Sequence, residues 1–144
     1  SPNRTKFRTI CTASTINAFV VSLDAGRPEP LATAMWLAVG KPDTTVFLPL
    51  YYGVADLPAG AETLNAKVLA LEKAAEESYG AMIGRLRKEM DPVEKGFLAG
   101  RPKFEREFAA LYRKDKAKAQ TRLDAYVAEA FAKAAAVTER LAEK

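Results

Sequence analysis

The sequence has no histidine and only one cysteine, which removes much of the common repertoire of catalysis. Without histidine the chain can hold no Ser-His-Asp triad, no Cys-His pair and no histidine-bearing metal site. A lone cysteine excludes an internal disulfide and a Cys-rich zinc knuckle. Long hydrophobic runs are also missing. The longest apolar stretch, Ala34-Met35-Trp36-Leu37-Ala38-Val39, is too short to span a bilayer, and no continuous apolar segment follows the charged N-terminus as a signal peptide requires. Glycines are scattered, and neither Gly-x-Gly-x-x-Gly nor Gly-x(4)-Gly-Lys occurs, so no phosphate-binding loop is expected. These absences imply no cofactor, no metal and no membrane partner. They do not choose between a cytoplasmic and an exported protein.

What is present is ordinary globular composition. The 144 residues are 49% apolar and 28% charged, enough for one domain with a buried core. The net charge of +4 is spread along the chain, with +1 over residues 1–59 and +3 over residues 60–144. The densest basic run, Arg113-Lys114-Asp115-Lys116-Ala117-Lys118, is broken by an aspartate and has no interleaved aromatics. It reads as a solvated helix junction, and no nucleic-acid partner is expected. The start at Ser1-Pro2 without a methionine reads as a processed or excised chain.

The style of the sequence changes near Pro58-Ala59-Gly60. Residues 1–58 are rich in Thr, Val, Phe and Tyr and read as strands; residues 59–144 are rich in Ala, Lys and Glu and read as helices packed on them. Four extended runs are predicted: Lys6–Ala13, Ile16–Leu23, Thr33–Val39 and Thr44–Leu48. The first two are read as separate strands or as one bent strand. Ile16–Leu23 is apolar on nearly both faces, as in a buried strand. Turns are expected at Asp24-Ala25-Gly26-Arg27-Pro28 and Gly40-Lys41-Pro42-Asp43, and Pro49 is expected to end the fourth run. From Ala61 the period becomes helical, with Leu64, Val68, Leu71 and Ala75 on one stripe. Tyr79, Met82, Ile83, Leu86 and Met90 continue it to a boundary at Asp91-Pro92. Gly96–Gly100 reads as a loop and a further helix begins near Pro102. A last helix from about Asp115 to Ala142 carries Leu123, Tyr126, Val127, Ala130, Phe131, Ala134, Val137 and Leu141. The class is α+β: a small antiparallel sheet followed by helices, in a single domain.

Few residues could carry chemistry. Cys11 would need a base, a helix N-terminus or a cationic neighbour to become a nucleophile, and ten residues precede its amine, so it reads as a buried strand residue. The hydroxyls of Thr9, Thr12, Ser14 and Thr15 could line a pocket, but such residues more often pair across strands or form turns. Trp36 reads as core. Glu76, Glu77, Glu105 and Glu107 lie on charged helical stretches and form no acid/base pair.

Three segments carry a family resemblance. Arg8-Thr9-Ile10-Cys11-Thr12-Ala13-Ser14-Thr15, then Ala34-Met35-Trp36-Leu37-Ala38-Val39-Gly40-Lys41-Pro42, then Thr44-Thr45-Val46-Phe47-Leu48-Pro49-Leu50-Tyr51-Tyr52-Gly53, resemble the C-terminal part of dipeptidase A-type cysteine peptidases. These linear-amide C–N hydrolases belong to the N-terminal nucleophile superfamily and are related to the secernins. The resemblance implies that the chain is part of an αββα sandwich and a C-terminal fragment of a larger protein. It also implies that the nucleophile is an N-terminal cysteine on a half outside this chain. Cys11 lies in the Arg-Thr-Ile strand and does not occupy the nucleophile position, so no catalytic residue is carried over. Arg8, Thr9 and Tyr52 are the expected substrate-facing residues. The expected function is a scaffold segment of a dipeptidase or amidohydrolase, inactive alone, acting with the N-terminal half of its parent on a peptide or small amide. The alternative is a non-catalytic domain that associates with itself, as a homodimer.

Overall fold

The structure is a computed structural model and describes residues 15–143. The fold is α+β, as the sequence pattern predicts: a three-stranded antiparallel sheet followed by three long helices. Strands β1 (Asn17–Leu23), β2 (Thr33–Val39) and β3 (Phe47–Tyr51) lie in chain order, with Val20 opposite Trp36 and Trp36 opposite Pro49. The expected turn after β1 leads into a helical turn, α1 (Glu29–Ala32), which the sequence pattern did not suggest. The predicted run at residues 6–13 lies outside the described residues.

Pro49 does not end the third strand but sits inside it. β3 is an edge of the sheet, so a residue whose nitrogen faces away from β2 loses no ladder bond. Phe47, two residues earlier and on the same outward side, gives its N–H to Glu94 at 2.9 Å, while Tyr52 bonds inward to the Thr33 carbonyl at 3.0 Å. Gly40 closes the β2–β3 turn with φ +90°, a region open to glycine. A Cβ there would also run into Val68 and the Glu72 carboxylate, which accepts the buried Lys41 N–H. Burial alone would pull the Lys41 ammonium down, but Glu76, Glu72 and Asp43 hold it above its ordinary pKa.

Helix α2 (Ala61–Glu77) buries Leu64, Val68, Leu71 and Ala75 as its stripe predicts. Helix α3 departs from expectation. Residues Tyr79–Tyr112 form one helix that runs through Pro92 and Pro102, with no loop at 96–100. An interior proline costs a helix about 3 kcal/mol relative to alanine. Both prolines face solvent, and the stripe of Leu86, Met90, Phe97, Phe104 and Phe108 continues past them into the core. Burying a large apolar side chain contributes about 1.5–3 kcal/mol, so five of them outweigh two prolines. Helix α4 (Lys116–Ala142) starts at an Asp115 cap whose carboxylate accepts the Lys118 N–H at 3.0 Å. It buries Leu123, Val127, Ala130, Phe131, Ala134, Val137 and Leu141; Tyr126 is half-buried.

The helices pack against β2 and β3, where Ala34, Ala38, Leu48, Pro49 and Tyr51 are buried. They do not enclose β1. Its apolar run, expected to be buried, is exposed instead: Phe19, Val20, Val21 and Leu23 are each between 47 and 77% accessible. Pairing with β2 satisfies one side of β1, and α3 comes near it only at Val20, which lines a shallow cleft with Glu94 and Leu98.

Candidate functional site

Side chains alternate across a strand, so the register sorts the sheet into two faces. Ala34, Trp36, Pro49 and Tyr51 point toward the helices, while Val21, Thr33, Met35 and Leu50 point the other way. On that open face a groove of about 760 Å³ is lined by Val21, Thr33, Met35, Leu50, Tyr52 and the 54–57 segment. Its size falls within the roughly 300–1,000 Å³ typical of small-molecule sites. Its walls are apolar, with Asp56 as the one ionisable carboxylate along them.

The rim of the groove is held by groups far away in sequence. The Gly53 carbonyl accepts from Gln120 Nε2 at 2.9 Å, and the Ala55 N–H donates to Asp124 Oδ1 at 3.1 Å. Both partners stand on α4, so the helical half places the rim. Gly53 donates its own N–H to the Pro30 carbonyl at 3.1 Å. A Cβ on Gly53 would overlap Pro30 and lie 2.7 Å from that oxygen, which explains the glycine that closes the Phe-Leu-Pro-Leu-Tyr-Tyr-Gly block. Gly53→Ala is expected to destabilise the protein by about 1–3 kcal/mol, the range for overpacking. It should also displace the 52–57 rim, read as shifts of the Ala55 and Leu57 amide resonances. A variant with wild-type stability and spectrum would contradict the close approach.

Behind the sheet a polar cluster fixes β3 against α3. Glu105 Oε1 accepts from Arg27 at 2.6 Å, from Arg101 at 2.7 Å and from the Tyr51 hydroxyl at 3.0 Å. Burial, with Glu105 beside it, pushes the Tyr51 phenol far above its usual pKa of 10.0 and keeps it a neutral donor. The Arg101 guanidinium lies over Trp36 at 5.5 Å, so Trp36 is half core and half platform. Sequence reading passed over Glu105 as a surface carboxylate. The local signal was its i, i+4 spacing from Arg101; Arg27 and Tyr51 arrive only through the fold.

Of the expected site residues, the structure places one. Tyr52 stands at the groove mouth, 86% exposed. Arg8, Thr9 and Cys11 lie outside the described residues. A second cleft, of about 430 Å³, runs between α3 and α4, and its Lys133 is already paired with Glu129 at 2.7 Å. Among the described residues no cluster of acidic or cysteine side chains could hold a metal ion, and no helix is long and apolar enough to cross a membrane.

A family model for peptidase family C69 matches residues 1–74, a span that holds all three strands, Gly53 and the groove-lining segment. No curated protein and no solved structure matches the chain.

Proposed function

The chain belongs to peptidase family C69, and from that premise we propose that it is a scaffold segment of a dipeptidase A-type cysteine hydrolase of linear amide bonds. In this reading the groove is one wall of the cleft that receives the peptide. The nucleophile belongs to a catalytic half of the parent protein, which is the chain's principal partner. The observation that carries the reading is the groove: an apolar sheet face braced by helices, with no thiol or imidazole among its described lining residues.

The chemistry divides accordingly. An N-terminal cysteine gives its thiol proton to its own α-amino group, and the sulfur attacks the amide carbonyl carbon. The C–N bond breaks as that proton passes to the leaving amine, and water then releases the acyl group. Backbone and side-chain donors on the catalytic half stabilise the oxyanion. The residues here hold and orient the substrate, with Tyr52 at the mouth; Arg8 and Thr9, the other substrate-facing residues expected from the family resemblance, lie outside the described residues. In this reading the sheet part, residues 1–58, and the helical part, residues 59–144, make a single domain, supported by the hydrogen bonds from α4 to the rim of the groove.

The test is turnover of dipeptides and acyl amides by this chain, beside a Cys11→Ala variant. The expected result is no turnover by either. Activity that vanishes with Cys11→Ala would place the nucleophile in this chain and overturn the scaffold reading.

A self-associating interaction domain is the second reading, favoured by the exposure of β1. Ile16–Leu23 carries no charge and no proline, the usual protections of an edge strand. A symmetric dimer would use the same patch twice. Sedimentation over a hundredfold concentration range should show mass rising above the monomer. A monomer throughout that binds no hydrophobic dye would remove this reading.

A further inference from the structure

We propose that the cleft between α3 and α4 is a docking surface for an acidic amphipathic helix of a partner protein. The apolar face of that helix fills the cleft, and its carboxylates meet Arg85 and Arg122. The cleft lies outside the span matched to the peptidase family, and the proposal does not depend on the peptidase reading.

Shape comes first. The cleft holds about 430 Å³, with buried Phe97 and Ala130 as its floor and Val93 beside them. Gly96 and Gly100, one turn apart, open its α3 wall. Glycine weakens a helix interior, yet a Cβ at either position would meet nothing within 4 Å. No close approach among the described residues calls for these glycines. They leave a notch where the backbone of another helix can come near, because the separation of packed helices is set by the side chains at their contact. At the Tyr126 end of the cleft the hydroxyl oxygen is buried with no hydrogen-bond partner among the described residues, a donor without an acceptor.

Charge decides which helix. Arg85, Glu89, Gly96, Gly100, Lys103 and Glu107 succeed one another at intervals of three, four or seven along α3, which puts them on one flank. Arg122, Tyr126, Glu129, Lys133 and Arg140 do the same along the facing flank of α4. The three carboxylates of these flanks are already taken: Glu129 by Lys133 at 2.7 Å, Glu107 by Lys103 at 3.8 Å and Glu89 by Arg140 at 3.9 Å. Arg85 and Arg122 have no carboxylate partner among the described residues. Arg85 donates to the Leu141 carbonyl at 3.0 Å, and Arg122 lies over the Phe104 ring at 5.5 Å, so the two stand at opposite ends of the cleft. From Arg122 to Leu141 is about 28 Å of helix at 1.5 Å per residue. The complement is a helix of about five turns, apolar along its middle and acidic toward both ends, docked in the helix-in-groove mode.

The recess argues against a lipid surface. A membrane takes up apolar side chains that project into it, whereas Phe97 and Ala130 lie buried below a charged rim.

The experiment titrates the full chain with a labelled synthetic amphipathic helix, leucine on one face and glutamate on the other, by fluorescence anisotropy and NMR. The same peptide with lysine for glutamate is the comparison. The glutamate peptide should shift the Val93, Phe97 and Ala130 amides, bind more tightly than the lysine peptide and weaken as salt rises. Arg85→Gln and Arg122→Gln should each weaken it about fivefold, the scale of one accessible ion pair, and Lys95→Gln, outside the cleft, should leave it unchanged. Gly96→Leu should fill the notch and abolish binding. Its urea midpoint should equal or exceed that of wild type, since leucine favours a helix more than glycine does.

Equal binding of the glutamate and lysine peptides would overturn the proposal, as would failure of the glutamate peptide to bind. Unchanged affinity in both arginine variants would overturn it too, and neither substitution removes a buried side chain. Displacement of the peptide by phosphatidylserine vesicles would assign the face to a lipid surface instead. Shifts of Val93 and Phe97 that follow protein concentration without peptide would assign it to a second copy, again against the proposal.

Discussion

Phe131→Ala is expected to destabilise the protein by about 3–5 kcal/mol, the cost of removing a buried aromatic ring and leaving a cavity. Phe131 is 5% exposed on α4, within the stripe that joins α4 to the rest of the core. Domains of this size are stable by only about 5–15 kcal/mol, so the variant should unfold at a much lower urea concentration. Leu98→Ala provides the contrast. Leu98 is 57% exposed on α3, and its loss should stay within about 0.5 kcal/mol. Urea unfolding of the two variants beside wild type measures both, and equal small effects would place Phe131 outside the core.

Glu105→Ala should cost about 2–4 kcal/mol, because it leaves two guanidinium groups and a buried phenol without their common acceptor. Arg101 and Glu105 are only 15% and 13% exposed, so water replaces the lost bonds poorly. Tyr51→Phe removes one of the three donors and should cost about 1 kcal/mol. Glu107→Ala is the control. Its side chain is 54% exposed, 3.8 Å from Lys103, and exposed pairs of this kind contribute about 0–1 kcal/mol. A Glu105→Ala variant as stable as Glu107→Ala would show that the cluster holds nothing together.

Tyr51 also gives the cluster a pH signature. Its folded-state pKa is raised above the unfolded value of 10.0, first by burial and then by Glu105. The stability tied to the neutral phenol is therefore fully present below pH 10 and lost as the pH rises beyond it. Urea midpoints should fall above pH 10 more steeply in wild type than in Tyr51→Phe.

Much of the architecture was legible in local pattern. The stripe Leu64, Val68, Leu71, Ala75 and the stripe from Leu123 to Leu141 are buried where their period puts them, and Asp115 caps the helix it precedes. The apolar runs at 16–23 and 33–39 become neighbouring strands, and the block ending at Gly53 led to the family. Such features survive inspection of a few residues at a time, because helical period, capping and close approach at a glycine are short-range requirements.

α3 shows where that reading stops. Pro92, Pro102 and the glycines between them argue locally for breaks, yet Met90, Phe97 and Phe104 recur at intervals of seven across the same stretch. Burial of that longer stripe against α4 overrides the local cost. β1 shows the reverse error: its residues are as apolar as a buried strand's, but exposure is set by how far another element covers them, and the helices bury residues of β2 and β3 while Phe19, Val20, Val21 and Leu23 stay exposed.

Composition, period and turn chemistry therefore determined the class of the fold and its sheet-then-helix order, and the residue blocks of the first half pointed to the family. Only the tertiary structure decided that Glu105 gathers Arg27, Arg101 and Tyr51, that Gln120 and Asp124 hold the 53–55 backbone, and that one sheet face stays open as a groove. Apart from the i, i+4 pair Arg101–Glu105, those contacts join residues 54 to 78 positions apart, with 67 or 69 between the rim and α4, and no pattern within a helix or strand encodes which partner arrives.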